Sequence, residues 1–188
     1  KGTGSINIYP DFDGNIRRMP LVFMGEKAAY PHMAFKVAMD YAGLELKEIK
    51  PNYLLLSSAK EKIKIPLIQK DTVLINWLGK WQSTFRHYGF LDVLTAHKDL
   101  QEGKKPEIGL ALDGFKGSIC IVALTGIGLY DIKAVPIQAE YPGVGITATV
   151  ISNIVFSTFI ASFAGSAMFS SRSFFCTPSQ IKNNSIKS

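Results

Sequence analysis

The sequence predicts an α/β domain in which helices flank a mixed sheet. A nearly continuous apolar run over residues 117–124, rich in β-branched side chains, indicates a strand buried on both faces at the centre of the sheet. Apolar residues at helical spacing predict one helix over about 31–42 and a second over about 144–156. We therefore expect one α/β domain over residues 1–155, followed over 156–188 by an uncharged segment and a polar tail.

Two hairpins are predicted in the first half of the chain. Residues 5–9 alternate polar and apolar side chains as a half-buried strand does, and residues 20–24 have the pattern of a second strand beyond a turn. Residues 63–65 and 73–77 lie on either side of a polar tight turn and form the other candidate pair. We expect each of these pairs to form a hairpin.

The helix over 31–42 has clear signals at both ends. Pro31 suits the first helical position, where no N–H is needed, and Gly43 suits the position just after the end. Between them, apolar side chains recur every four residues and define one buried face. A strand within 44–49 is expected to follow, and residues 90–97 fit a short helix.

The net charge of +6 is unevenly distributed. All 15 acidic residues lie at or before Glu140, together with 18 of the 21 lysines and arginines, so the domain itself is only mildly basic. These basic residues are scattered along the chain. A protein that binds nucleic acid usually gathers them on one face or helix, so nucleic acid is not an expected partner.

The carboxyl-terminal part of the chain has a long uncharged run. Residues 141–171 contain no charged side chain, and the most apolar window lies over 154–169. That window is shorter than the roughly 20 residues that cross a bilayer, and it contains four serines or threonines. Two interpretations stay open: the start of a membrane helix, or a core helix that runs into a polar end.

The sequence shows no catalytic or metal-binding constellation. It contains neither a nucleophile elbow nor a P-loop. The three histidines and two cysteines have no metal-ligand spacing; they are His32, His87, His97, Cys120 and Cys176. We expect no enzymatic activity, no metal and no cofactor.

The loop after the predicted central strand is one candidate ligand site. In open α/β sheets, ligands bind at the carboxyl ends of the strands. Thr125, Gly126 and Asp131 lie on this loop and are candidate ligand-binding residues. The alternative for Asp131 is a turn carboxylate that caps nearby backbone N–H groups.

Two adjacent arginines are the other candidate ligand site. Arg17 and Arg18 follow Asp11 and Asp13 closely in sequence. The arginines can clamp an anionic ligand, or they can pair locally with the two aspartates. Exposed pairs of that kind are worth less than about 1 kcal/mol each.

Five motifs in the right order resemble the CHASE2 domain. They are Asp11-Phe12-Asp13-Gly14 with Arg17-Arg18-Met19-Pro20-Leu21; Tyr30-Pro31; Ile75-Asn76-Trp77-Leu78-Gly79; residues 117–122 with Asp131 and Pro136; and residues 141–153. The resemblance covers most of residues 4–155. It departs from the family pattern at Leu124 and Thr147, where the family usually has glycine and histidine. Structural roles are assigned to Asp11, Asp13, Gly14, Asn76, Pro142 and Gly143.

The resemblance implies a sensor at the periplasmic face of a bacterial cell membrane. CHASE2 domains are extracytoplasmic parts of transmembrane receptors, with a kinase or cyclase as cytoplasmic output. The chain resembles the carboxyl-terminal portion of the domain. The implied partners are a second copy of the chain, an unknown small-molecule ligand, and the membrane through the carboxyl-terminal segment. The alternative is a soluble periplasmic or secreted protein that binds small molecules.

Overall fold

The structure, a computed structural model, describes residues 2–26, 28–59, 61–69, 71–106, 115–125 and 131–160. Within these ranges the chain forms a mixed α/β fold of nine strands and four helices. In chain order they are β1 (Arg18–Pro20), β2 (Val22–Met24), β3 (Ala29–Pro31), α1 (Met33–Ala42), β4 (Glu45–Lys50), β5 (Tyr53–Ser57), β6 (Lys62–Pro66), β7 (Thr72–Leu74), α2 (Trp81–Thr84), α3 (Phe90–Gln101), β8 (Ile132–Val135), β9 (Gln138–Pro142) and α4 (Gly143–Val155).

The described strands form four small antiparallel sheets. The largest has the order β4–β5–β6, while β1 pairs with β7, β2 with β3 and β8 with β9. Buried residues alternate with less buried ones along β5 and β6, so one face of this sheet packs on the core and the other meets solvent. The sequence predicted a single mixed sheet, whereas the described strands form four separate antiparallel sheets.

Neither predicted hairpin is present. Residues 5–9 contribute one isolated bridge, from Ser5 to His32, and the two strands within 18–24 pair with β7 and β3. The tight turn at 69–72 does form, but β6 pairs with β5 and β7 pairs with β1. A turn is a local feature, whereas the choice of partner strand depends on which apolar faces meet in the core.

The buried central strand predicted over 117–124 is not confirmed. Residues 118–125 form no strand, and the side chains of Val122 and Leu124 are 80% and 74% exposed. An apolar run is buried on both faces only when strands pair along both of its edges. None of the nine described strands pairs with this segment.

The hydrophobic core lies between the two predicted long helices and the inner faces of the sheets. α1 and α4 occupy the predicted positions and pack against each other. β4 and α3 also confirm the strand and the short helix predicted at 44–49 and 90–97. The largest fully buried apolar side chains are Tyr141, Phe35, Ile16, Met19, Leu21, Leu54, Leu56, Ile65, Ile146, Ile154 and Val150.

A buried histidine caps the amino end of α1. His32 Nδ1 accepts a hydrogen bond from the Ala34 N–H at 3.1 Å, the role that serine or aspartate more often fills. Burial lowers the pKa of His32 from 6.5 to about 4, so the ring is neutral at pH 7 and can accept. Gly43 ends the helix with φ +61°, a left-handed conformation.

α4 ends in a Schellman motif. The Thr158 N–H donates to the Asn153 carbonyl at 2.9 Å, and the Ser157 N–H donates to the Ile154 carbonyl at 3.2 Å. Ser157 has φ 54°, where glycine is the usual residue. The chain therefore turns away from the helix axis after Val155.

Relief of the backbone strain at Ser157 is expected to stabilise the protein. Ser157→Gly should raise the free energy of unfolding by about 0.5–1 kcal/mol, because a left-handed φ is unfavourable for a residue with a Cβ. Ser152→Gly is the matched control: it places the same change inside α4 and should be destabilising. Urea unfolding at pH 7 measures both. Loss of stability in Ser157→Gly would contradict strain at this position.

Most of the predicted membrane window lies outside the described residues. Ile154 and Val155 form the end of α4, and residues 156–160 are not helical. Within the part of the chain that the structure describes, every helix is too short or too polar to cross a membrane.

Candidate functional site

The segment that carries the two aspartates folds into a closed loop. The Gly14 N–H donates to the Asp11 carbonyl at 2.9 Å, and the Asp11 N–H donates to the Asn15 carbonyl at 2.8 Å. Gly14 has φ +83°, which glycine adopts without steric cost. Two residues after Gly14, the Ile16 N–H donates to the Ala134 carbonyl in β8 at 2.8 Å. The loop is thus fixed to the fold, with both carboxylates beside the arginines that follow.

The two aspartates and two arginines form a closed network of ion pairs, here called the Asp–Arg cluster (Asp11, Asp13, Arg17 and Arg18). Arg17 binds Asp13 through two hydrogen bonds, of 2.8 and 2.6 Å, and contacts Asp11 at 3.1 Å. Arg18 Nε lies 2.8 Å from the other Asp11 oxygen. The structure therefore shows the local pairing that the sequence left open.

The hydrogen bonds between Asp13 and Arg17 favour the charged forms of these two residues. The hydrogen bonds that Arg17 donates to Asp13 hold the pKa of Asp13 well below its ordinary value, and the same bonds raise the pKa of Arg17. The four formal charges cancel. A ligand anion at Arg17 would have to displace Asp13, whereas Arg18 Nε lies 2.8 Å from Asp11 without making a hydrogen bond to it.

An open groove of about 490 Å³ lies next to the Asp–Arg cluster, along the β1–β7 pair. Its volume falls in the range of small-molecule sites. No hydrogen bond within the described ranges uses the Nη atoms of Arg18. The groove is lined by Tyr9, Pro10, Asp11, Phe12, Arg18, Pro20, Phe23, Gln69, Asp71 and Thr72.

The other predicted ligand site comprises Thr125, Gly126 and Asp131. Thr125 is exposed and lies outside regular structure, and Gly126 lies outside the described residues. Asp131 precedes β8, where its carboxylate pairs with Lys133 at 2.8 Å and its carbonyl accepts from the Gly143 N–H at 2.7 Å. Asp131 is not among the residues that line the groove.

The motif residues Pro142 and Gly143 form the entry to α4. Pro142 is the N-cap residue and Gly143 begins the helix. A Cβ on Gly143 would lie 2.7 Å from Asp131 Oδ2, so the carboxylate sits close to the helix amino end. A negative charge is favourable there because it complements the helix dipole. The Asp131 carboxylate pairs with Lys133 and makes no side-chain cap on α4, whereas its backbone carbonyl accepts from the Gly143 N–H.

Two distant asparagines meet at the carboxyl end of α4. Asn153, almost fully buried, accepts from the Asn76 N–H at 2.9 Å and donates to the Asn76 carbonyl at 3.0 Å. The Asn76 side chain donates in turn to the Thr158 carbonyl at 3.1 Å. We call Asn76, Asn153 and Thr158 the junction. It ties the segment after β7 to the last turn of α4 and to the chain that leaves it.

Aromatic rings cover the first turn of α4. Trp77 and Trp81 each meet Tyr141 edge-on, with ring centroids 5.4 and 6.2 Å apart. Burial raises the pKa of Tyr141 above its ordinary value. The backbone of Gly145 approaches these rings so closely that a Cβ there would lie 2.6 Å from Tyr141 and 2.7 Å from Trp81.

Gly145→Ala is expected to destabilise the protein by about 1–2 kcal/mol, because the clash with two packed rings outweighs the better helix propensity of alanine. Gly143→Ala is the matched control two residues earlier. There the contact is the tip of the exposed Asp131 side chain, which can rotate away. Thermal unfolding of the two variants tests this. Equal melting temperatures would contradict a tight ring contact at Gly145.

Comparison with known proteins identifies the family of the chain. The family model of the CHASE2 domain matches residues 1–175. The chain belongs to the CHASE2 family. Neither the curated proteins nor the solved structures yield a match. CHASE2 domains are extracytoplasmic sensor domains and not catalytic ones, so a sensor role is supported. The match also extends past residue 155, where the motif resemblance ended.

Two CHASE2 motifs that lie far apart in sequence meet at the junction. Asn76 comes from the Ile-Asn-Trp motif and Asn153 closes the last motif. At the two departures from the family pattern, Leu124 is exposed, whereas Thr147 is buried and donates to the Gly143 carbonyl at 3.4 Å. The Thr147 side chain therefore forms a hydrogen bond with the backbone of the first turn of α4.

Several important residues of this CHASE2 domain were not singled out by sequence reasoning. Asn153 had one signal, because it is a polar residue on an otherwise apolar helix and buried polar groups need partners. Asp71 and Phe12 had none, since only the β1–β7 pairing brings them to one groove. Within the described ranges, no three His, Cys, Asp or Glu side chains are grouped to hold a metal ion.

Proposed function

We propose that this chain is the extracytoplasmic sensor domain of a bacterial transmembrane receptor, which regulates a cytoplasmic kinase or cyclase. Membership of the CHASE2 family supports the sensor role. The observation that carries the proposal is the junction, where partly buried hydrogen bonds join the core to the point at which the chain leaves α4.

α4 is suited to carry a signal from the core to the junction. Eight of its thirteen residues are buried, and it packs against α1 and against β9. A shift of α4 along its axis moves Asn153, which bonds to the Asn76 backbone on one side and to Thr158 on the other. A ligand drives such a shift only if it binds the two positions of α4 unequally.

In this proposal the chain beyond residue 160 leads to the membrane, and two receptor copies face each other. Rearrangement of the junction then alters the geometry between the copies and the activity of the output domain. Asn76→Ala with Thr158→Ala removes the side-chain contacts to the outgoing chain but leaves both bonds between Asn153 and the Asn76 backbone. In the receptor, this double variant should change output at nearly unchanged domain stability.

The control for that measurement is Ser152→Ala, which changes a side chain on the same turn of α4. It should leave output and stability unchanged. If the double variant folds normally and its output also equals that of the wild type, the junction does not transmit the signal.

Extracytoplasmic location is tested separately with an exposed thiol. Cys120 is a free, exposed cysteine. In a Cys176→Ser background, a membrane-impermeant maleimide should label Cys120 in intact spheroplasts, and Cys120→Ser should abolish the labelling. Labelling that appears only after lysis would overturn the proposed location.

A further inference from the structure

We infer that the groove beside the Asp–Arg cluster binds a zwitterionic small molecule, an α-amino acid with an aromatic side chain. The inference rests on the proposed sensor function and names the ligand class of that sensor. It depends on three features of the groove: opposite charges, exposed aromatic rings and volume.

Charges of both signs line the groove. Arg18 contributes a guanidinium, and Asp71 contributes a carboxylate whose Oδ1 accepts from Thr72 Oγ1. Because Asp11 lies against the Nε side of the Arg18 guanidinium, the two Nη atoms can form the parallel pair of hydrogen bonds that a ligand carboxylate accepts. Asp71 can receive an ammonium group.

The balance of charge favours a ligand that carries both groups. The Asp–Arg cluster is neutral as a whole, so Asp71 leaves an excess negative charge among the described lining residues. A phosphate or another multiply charged anion would meet that repulsion. A simple amine would leave the Arg18 Nη atoms without a partner. An amino acid offers a carboxylate to Arg18 and an ammonium group to Asp71.

Aromatic side chains line the rest of the groove. They are Tyr9, Phe12 and Phe23, of which Tyr9 and Phe12 are largely exposed. Phe12 is fully exposed and belongs to the tight turn of the Asp–Arg cluster, so no core contact accounts for it. Exposed aromatic rings next to fixed charges form a stacking surface for a flat apolar group. The volume of about 490 Å³ accommodates an aromatic amino acid.

The test uses isothermal titration calorimetry and thermal shift of the full chain with three probes. L-phenylalanine carries both charges, phenethylamine lacks the carboxylate, and 3-phenylpropionate lacks the ammonium. L-phenylalanine should bind and raise the melting temperature, since a ligand of the native state stabilises it. Each analogue should bind at least ten-fold more weakly. Absence of L-phenylalanine binding at 10 mM, or equal binding by 3-phenylpropionate, would overturn the inference.

Variants locate the binding to the groove. Phe12→Ala removes a fully exposed ring, so the melting temperature of the free protein should stay unchanged while affinity for L-phenylalanine falls at least ten-fold. Phe90→Ala removes an exposed ring outside the groove and should leave affinity unchanged. Asp71→Asn should weaken L-phenylalanine but not 3-phenylpropionate. Normal affinity in Phe12→Ala would place any binding elsewhere.

The outcome is independent of the signalling test. Calorimetry on the purified chain involves neither a membrane nor an output domain. If L-phenylalanine binds as expected while the junction variants leave output unchanged, only the proposed function fails. If the junction variants alter output and no probe binds, only the assignment of ligand and groove fails.

Discussion

Replacement of Asn153 by alanine is expected to lower the free energy of unfolding by about 2–3 kcal/mol. The amide of Asn153 pairs with both the N–H and the carbonyl of Asn76, as a neighbouring strand would. Alanine leaves both backbone groups without a partner in a partly buried place, and a polar group that loses its partner there destabilises more than a hydrogen bond stabilises. The gain in helix propensity is about 0.5 kcal/mol and does not compensate.

Urea unfolding of three variants separates the contributions at the junction. Ser152→Ala changes the neighbouring side chain and should stay within about 0.5 kcal/mol of the wild type. Asn153→Asp keeps an acceptor for the Asn76 N–H but offers no donor to the Asn76 carbonyl. At pH 7 it should lose at least as much as alanine, because it buries a charge without a counter-ion. If Asn153→Ala behaved like Ser152→Ala, the junction would contribute nothing to the fold.

The two long helices could be predicted because their signals are local. Pro31 and Gly43 stand within a residue or two of the ends of α1, and the apolar face of α4 is visible in the sequence itself. Each helix satisfies its own backbone, so its existence does not depend on a distant partner. The positions of both were therefore correct.

The strand pairings could not be predicted for the opposite reason. β7 pairs with β1, more than 50 residues earlier, across a register set by the burial of Met19 and Val73. The turn at 69–72 identifies a change of direction but not the partner. The apolar run at 117–124 indicated strand propensity, yet propensity alone does not supply neighbours for both edges.

The candidate site was predictable only in its charged part. The spacing of Asp11, Asp13, Arg17 and Arg18 placed them together, and the alternative of local pairing is the arrangement observed. The groove and the junction each depend on residues more than 50 positions apart, Arg18 with Asp71 and Asn76 with Asn153. The sequence motifs contained Arg18 but not Asp71. They contained both asparagines, and only the fold shows that the two are paired.

The stability of the domain is expected to fall as the pH drops from about 6.5 to 4, and His32 is the principal cause. The folded pKa of about 4 lies below the ordinary value of 6.5, so the unfolded chain binds a proton that the folded chain rejects. The contribution of His32 is fully present above pH 6.5 and decreases as the pH falls toward 4. Between pH 7 and 4.5 the loss amounts to about 2–3 kcal/mol.

The loss of stability at low pH is explained by the position of His32 as the cap of α1. In the neutral ring, Nδ1 accepts from the Ala34 N–H, which assigns the ring proton to Nε2. A second proton on Nδ1 would face a donor and break the cap. The ring is fully buried and stacks on Phe23 at 6.2 Å, and Nε2 has no hydrogen-bond partner among the described residues, so nothing there offsets the added charge.

His32→Asn isolates this effect, because the asparagine oxygen caps a helix without titrating. The variant should be less stable than the wild type at pH 7, since it loses the buried ring, but its stability should change less between pH 7 and 4.5. The other histidines and the carboxylates are common to both proteins, so subtracting the two curves removes their contribution. Urea midpoints measured at half-unit pH steps give both curves. Parallel curves would show that His32 accepts a proton in the folded state as easily as in the unfolded one, and the buried neutral cap would then be wrong.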